Sequence, residues 1–172
     1  MSKVWLITGS SRGLGRELAK AVLAAGHHLV ATARAAEDLH DLVSQYGERV
    51  RAVALDVTDP AAARAAIAVA SSAFGRLDVV VNNAGYANIN SIEDVADDDF
   101  HAQVDTNFFG VVNVTRAALP VLRAQRDGHI IQISSIGDGS ALRVLRPTNR
   151  RNSPSRDFPK CCRKRWGRSA SA

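Results

Sequence analysis

The chain has 172 residues, 22 of them basic and 17 acidic, for a net charge of +5; that length is one domain, able to bury roughly two-thirds of its unfolded surface. Residues 139–172 hold ten of the basic residues and one acid, against twelve and sixteen in residues 1–138, so the basic balance that would suggest a nucleic-acid partner belongs to the tail and not to the mildly acidic body. Both cysteines, Cys161 and Cys162, are adjacent in that tail, which excludes zinc-site or redox-pair spacing and any disulfide framework in the body, as expected of a reducing cytoplasm.

The N-terminus passes from "MSK" into "VWLIT" (4–8), an apolar run too short for a signal peptide, and no stretch approaches the roughly 20 residues of a membrane span. These features predict a cytoplasmic protein without a membrane partner. "GLGRELAKAVLAAG" follows, with apolar positions three or four apart and a terminal glycine, a helix and its stop. Then come a strand, "HLVATA" (28–33), a second helix, "AAEDLHDLVSQYG", and a third strand, "RAVALD" (51–56). Asp59 and Pro60 make an N-cap and first helical position for "DPAAARAAIAVASSAFG". A fourth strand, "DVVVN" (78–82), precedes one long helix from about Asp98 to Arg126, in which Gly110 and Pro120 threaten straightness. "HIIQIS" (129–134) is the fifth strand. All five runs are short, rich in Val, Ile and Leu, and fit strands buried on both faces of a parallel sheet. The alternation predicts an α/β fold, a doubly wound parallel sheet with right-handed crossovers. Beyond Ser140 no further strand or amphipathic helix can be read.

Chemistry is concentrated where strands end. "TGSSRGLG", Thr8 to Gly15, joins the first strand to the first helix. Gly9 permits the tight turn, while Gly13 and Gly15 let backbone approach a pyrophosphate and let the helix pack on the sheet. The phosphate then meets free N–H groups at the helix N-terminus. Position within a β-α-β unit is what gives such a loop meaning. The bland alternative is a structural turn.

The spacing G-x-x-x-G-x-G, with "DV" at Asp56–Val57, "NNAG" at Asn82–Gly85, Asn107 on the long helix and Ser135 in "ISSIG", resembles the short-chain dehydrogenase/reductase family. The match runs over residues 4–137. The resemblance implies a Rossmann-like sheet of strand order 3-2-1-4-5-6-7, of which five strands are visible here, and hydride transfer between a nicotinamide cofactor and a small-molecule alcohol or carbonyl. It implies cofactor contacts from Thr8, Gly9, Ser11, Arg12, Gly13, Leu14, Gly15, Asp56, Val57, Asn83, Ala84 and Gly85, with Asp56 at the adenine. It also implies that Ser135 hydrogen-bonds the substrate oxygen and Asn107 supports a water-linked proton relay. Homo-oligomers built on the long helix are usual in the family. Charge speaks to the cofactor: strand two ends "ATARAAED" with no acid immediately after it, and Arg34 and Arg12 can meet a 2′-phosphate, which favours NADP(H) and leaves NAD(H) open. No metal site is expected.

The family's remaining catalytic pair, Y-x-x-x-K, should lie about 13 and 17 residues past Ser135. Thr148 and Asn152 stand there, and the last tyrosine is Tyr86. Back-translating from Asp138 and restoring one base near Gly137 allows the shifted frame to read "ASYQSAK" at the required distance. The expectation is an NADP-binding domain at 1–138 that lacks its later part. An aberrant, disordered basic tail at 139–172, out of frame, would leave the chain inactive and its oligomer interface compromised. The competing readings are an inert NADP-binding regulatory domain and a basic-tailed nucleic-acid-binding protein; the tail's lack of amphipathic or aromatic interleaving beyond Phe158 and Trp166 argues against the second. Substrate identity cannot be read from "YANINSIED".

Overall fold

A computed structural model describes residues 2–88, 91 and 93–134; Ser135 and the whole of 139–172 lie outside the described residues. The five strands are β1 (Val4–Ile7), β2 (His28–Ala33), β3 (Val50–Ala54), β4 (Val79–Asn82) and β5 (His129–Gln132). They form one sheet in the order β3-β2-β1-β4-β5, with every neighbouring pair parallel. Leu6 stands opposite Val30 on one side and Val80 on the other. Because β1 lies between β2 and β4, the chain order reverses beside it. That reversal opens a crevice at the carboxyl ends of the strands.

Helices cover both faces. α1 (Gly13–Ala24) and α2 (His40–Tyr46) belong to one layer, α3 (Pro60–Phe74) and α5 (Gly110–Gln125) to the other, while α4 (Asp97–Val104), which leads into α5, buries no residue in either core. Alternation along each strand feeds the two cores. Leu6, Val30 and Val80 pack with Ile67, Val114 and Leu122 of α3 and α5, whereas Ile7, Leu29, Ala31, Val79 and Val81 pack with Val22 and Leu23 of α1 and Leu42 of α2. Apolar runs without polar alternation are thus explained at β1, β2 and β4, which need two apolar faces. The expectation fails at both edges of the described sheet: β3 is half-buried over Arg51, Ala52 and Val53 and exposed at Ala54, and in β5 Ile130 joins a core but Ile131 remains 40 % exposed.

Local signals work as their chemistry requires. Asp59 Oδ1 accepts from the Ala61 N–H at 2.7 Å, Pro60 opens α3, and Gly75 ends it at φ +76°. The long helix differs from a single α-helix. It is helical from Asp97 to Gln125 but carries a π turn at Asp105–Phe109, just before Gly110. Neither Gly110 nor Pro120 is the site of the irregularity. Gly110 is needed for packing, since a Cβ there would come within 2.5 Å of Val57 Cγ2. A π turn inserts one residue into the ladder, and Asn107 lies within it.

Asp78, preceding β4, fastens the opposite end of the sheet. Its side chain is 5 % exposed; Oδ2 accepts from the Val4 N–H at 2.8 Å and Oδ1 from Arg76 Nε at 2.8 Å.

Candidate functional site

Four loops leaving the carboxyl ends of β1, β2, β3 and β4 surround a cleft of about 680 Å³. The first is the glycine loop. Gly9 turns at φ +70° directly over Ala84, whose Cα would lie 3.0 Å from any Cβ placed on Gly9. A Cβ on Gly15 would overlap the Gly9 carbonyl oxygen and Asn83 Nδ2, so α1 can approach the loop only as glycine. α1 begins at Gly13 with no side-chain cap from Arg12. Its first N–H groups are therefore left for a ligand, the arrangement that binds phosphate at a helix N-terminus. Gly9, Ser11, Arg12, Gly13, Leu14 and Gly15 all line the cleft.

Thr8 does not line it. The residue is 1 % exposed, and its Oγ1 accepts from the Asn83 and Ala84 N–H groups at 2.9 Å each and donates to Val81 O at 3.3 Å. Its side chain is committed to tying the β1 and β4 loops together. Asn83 completes the tie: its Nδ2 donates to Thr8 O at 2.9 Å and to Gly9 O at 3.2 Å.

Arg34 follows β2 and lines the cleft with Ala33. Among the described residues neither Arg34 nor Arg12 forms an ion pair within 4.0 Å. After β3, Leu55, Asp56 and Val57 form a wall with an apolar surface and one carboxylate. Asp56 Oδ1 accepts from the Thr58 N–H at 2.9 Å and its hydroxyl at 2.8 Å. These two bonds, with the Arg34 charge as a smaller contribution, hold the carboxyl below its ordinary value of 3.8 against the opposing effect of burial. The loop is held from behind, where Asn113 Nδ2 donates to Val57 O at 3.0 Å and Thr58 O at 3.2 Å.

Ala84, Gly85 and Tyr86 continue the β4 wall. Asn107 lies behind it: Oδ1 accepts from the Tyr86 N–H at 3.0 Å and Nδ2 donates to Tyr86 O at 2.7 Å. Asn107 is a clamp on backbone, and its neighbour Thr106 is the residue of the π turn that lines the cleft. Ile133, after β5, closes the rim.

The geometry thus brings twelve of the residues singled out in the sequence around one cleft, sets Thr8 and Asn107 behind it, and leaves Ser135 outside the described residues. Ala33, Leu55, Tyr86, Thr106 and Ile133 also line it and carried no sequence signal beyond standing beside a strand end or a marked residue. Buried Ser10, which bonds Ile7 O through Oγ at 2.9 Å and Thr32 O through its N–H at 2.7 Å, was equally silent. A glycine cradle, helix N–H groups without a side-chain cap, two guanidiniums that form no ion pair among the described residues and an apolar wall ending in a carboxylate suit a dinucleotide with its phosphates, ribose and base. Among the described residues no cluster of His, Cys, Asp and Glu could hold a metal ion, and no helix is long and apolar enough to cross a membrane.

Known proteins resemble the chain in sequence and in fold. The family model for short chain dehydrogenases matches residues 3–143. Oxidoreductase BOA17 of Botryotinia fuckeliana is 54 % identical over 138 residues, covering 80 % of this chain and 50 % of that protein. Among solved structures, a short-chain dehydrogenase from Streptomyces avermitilis superposes with a TM-score of 0.75 at 40 % identity over 79 % of this chain and 50 % of its own. A 3-ketoacyl-(acyl-carrier-protein) reductase from Brucella melitensis complexed with NADH gives 0.75 at 32 % identity, covering 80 % and 59 %. ElxO with NADP bound gives 0.74 at 34 % identity, covering 79 % and 56 %. The chain spans about half the length of the curated relatives it matches.

Proposed function

The chain belongs to the short-chain dehydrogenase/reductase family of oxidoreductases, and from that premise we propose that residues 1–138 are a cytoplasmic NADP(H)-binding domain of an alcohol/carbonyl oxidoreductase. We propose equally that the chain as written holds its cofactor without turning over substrate. The observation that carries the reading is the cleft itself, with the glycine loop, Arg34, Asp56–Val57 and Asn83–Gly85 meeting at the carboxyl ends of four strands. The N–H groups opening α1 would take the pyrophosphate. Arg12 and Arg34 would meet a 2′-phosphate, since Ala35 and Ala36 supply no carboxylate for a free 2′-hydroxyl. Asp56 would accept a hydrogen bond from the adenine, between the apolar side chains of Leu55 and Val57. Neighbours in the family carry NADP or NADH, so the choice of NADP(H) rests on the two arginines.

A bound nicotinamide would supply hydride to a carbonyl carbon. The chain's own task is then to hold the substrate oxygen and deliver a proton to it. Ser135 is assigned the first role. No residue is assigned the second, because no tyrosine follows Tyr86 and no Y-x-x-x-K follows Ser135. A lost base near the Gly137 codon is the proposed origin of the residues that follow; the family match itself runs a few residues past that codon, to 143. Calorimetric titration tests the binding half: NADPH should bind at least tenfold more tightly than NADH. Saturation by neither at millimolar concentration would overturn the reading, and tighter NADH binding would overturn the cofactor choice. Measurable NADPH oxidation with a panel of ketones and aldehydes would overturn the proposed inactivity. An intact frame on resequencing the DNA at the Gly137 codon would remove its explanation.

A further inference from the structure

We propose that Arg16 is a positioning residue that fastens the glycine loop to the turn after β2 and so fixes the spacing of Arg12 and Arg34, making it a determinant of cofactor discrimination that never touches the cofactor. The inference rests on the NADP(H) reading above. Arg16 sits in the first turn of α1 and turns away from the cleft, which it does not line. Its side chain is only 11 % exposed. Nη2 is paired with the Asp41 carboxylate in the first turn of α2. Nη1 reaches the carbonyl oxygens of Asp38, at 3.4 Å, and of Ser10, at 3.5 Å. One guanidinium therefore touches three segments: the glycine loop at Ser10, the 3-10 turn Ala36–Leu39 at Asp38, and α2 at Asp41.

The glycine loop carries one of the two cations of the cleft, and the other lies just before the 3-10 turn. Arg12 is two residues beyond Ser10, and Arg34 is four residues before Asp38. Ser10 itself is anchored, fully buried with its N–H on Thr32 O in β2, so the loop and β2 already share one fixed point. Arg16 adds the second, on the far side of Arg34. Two points of attachment hold a hinge that one would leave free to rotate. The guanidinium serves the carboxylate from Nη2 and the two carbonyls from Nη1, two nitrogens held in one fixed plane, whereas an ammonium offers its three donors from a single nitrogen on a flexible stem. Asp41 is 67 % exposed, so the ion pair adds little to stability by itself. The consequence of the clamp lies in geometry, where a misplacement of about 1 Å is enough to lose a charged contact. A pyrophosphate held by α1's own N–H groups is indifferent to this spacing. A 2′-phosphate held between Arg12 and Arg34 is not.

The test compares wild type with R16K and R16Q by calorimetry against NADPH and NADH, and by amide hydrogen exchange without cofactor. Both variants should weaken NADPH binding at least tenfold, about 1.4 kcal/mol, while NADH changes less than threefold, and D41A should reproduce part of the loss and be non-additive with R16Q. In R16Q, exchange should quicken together in the glycine loop and in Ala36–Leu39, with the β1, β2 and β4 amides unchanged. Equal loss for both dinucleotides, or full rescue by R16K, would overturn the discriminating role. If wild type binds neither dinucleotide the cofactor reading fails, and the exchange data then decide the clamp alone. Unchanged exchange, or quickening in only one of the two segments, overturns it.

Discussion

Gly15→Ala is the sharpest probe of how the cleft is built. The added methyl meets the Gly9 carbonyl oxygen and Asn83 Nδ2, both parts of the tie between the β1 and β4 loops, so relief requires a backbone shift. Overpacking of this kind costs about 1–3 kcal/mol. Displacing Asn83 also endangers its bonds to Thr8 O and Gly9 O, worth about 1 kcal/mol each. With both bonds lost the total, about 3–5 kcal/mol, is a large share of the roughly 5–15 kcal/mol that holds a domain together. Gly75→Ala is the control: it too is a glycine at a helix end, but its Cβ would meet nothing within 4 Å, and its φ of +76° is the only obstacle. Left-handed strain costs about 1–2 kcal/mol, partly offset by reduced freedom of the unfolded chain. Urea unfolding followed by far-ultraviolet circular dichroism should place G15A below G75A by at least 1 kcal/mol. If G15A is the milder of the two, close packing of α1 on the loop is not what the glycine serves.

Three further outcomes follow from individual contacts. Asp56 should titrate below 3.8 by carboxyl NMR, and T58A, which removes the hydroxyl bond but keeps the backbone one, should raise the midpoint only part of the way. Because the folded value is the depressed one, the stability it confers is present above pH 3.8 and lost as pH falls through the folded pKa; T58A must narrow that acid-side loss. D78A leaves the buried Val4 N–H without an acceptor and should cost about 1–3 kcal/mol in urea unfolding, with D78N recovering most of it; a change under about 0.5 kcal/mol in D78A would contradict the assignment. N107A should speed exchange of the Tyr86 amide about fivefold or more, the equivalent of one hydrogen bond, whereas N107D, which keeps an acceptor for that N–H, should leave it slow.

The sheet was readable from local pattern because its strands obey local rules. Runs such as "VVVN" and "HLVATA" have no polar face because both faces are covered, and Asp59-Pro60 and Gly75 mark the ends of α3 by the chemistry of unpaired N–H groups and left-handed backbone. Strand order was readable only through the family resemblance, since nothing in five similar apolar runs says which lies beside which. β5 carries the same signal as β4 yet leaves Ile131 exposed, since pattern records what a strand can bury and not what covers it. The π turn was invisible for a related reason: "DTNFFG" is made of weak helix formers, but low propensity does not specify a π turn, and the irregular segment holds a contact between Asn107 and Tyr86 that spans 21 residues.

The same distinction separates the cleft's lining from its framework. Lining residues are marked by type and by place at a strand end, which is why Gly9, Arg34, Asp56 and Gly85 could be singled out. The framework consists of side chains bonded to distant backbone: Asn83 to the glycine loop across 74 and 75 residues, Asn113 to the β3 loop across 55 and 56, Arg16 to Asp38 across 22. Each bond is made with a loop whose own residues cannot fix its path, because a segment without ladder or helix bonds must find partners for its N–H and C=O groups elsewhere. A dinucleotide touches the loops, but the distances between those loops are set by side-chain bonds from Asn83, Asn113 and Arg16 to backbone, and the last two do not line the cleft. Specificity in such a site therefore depends on residues that an inventory of ligand contacts would omit, and Arg16, standing between the loop bearing Arg12 and the turn following Arg34, is the one best placed to exert it.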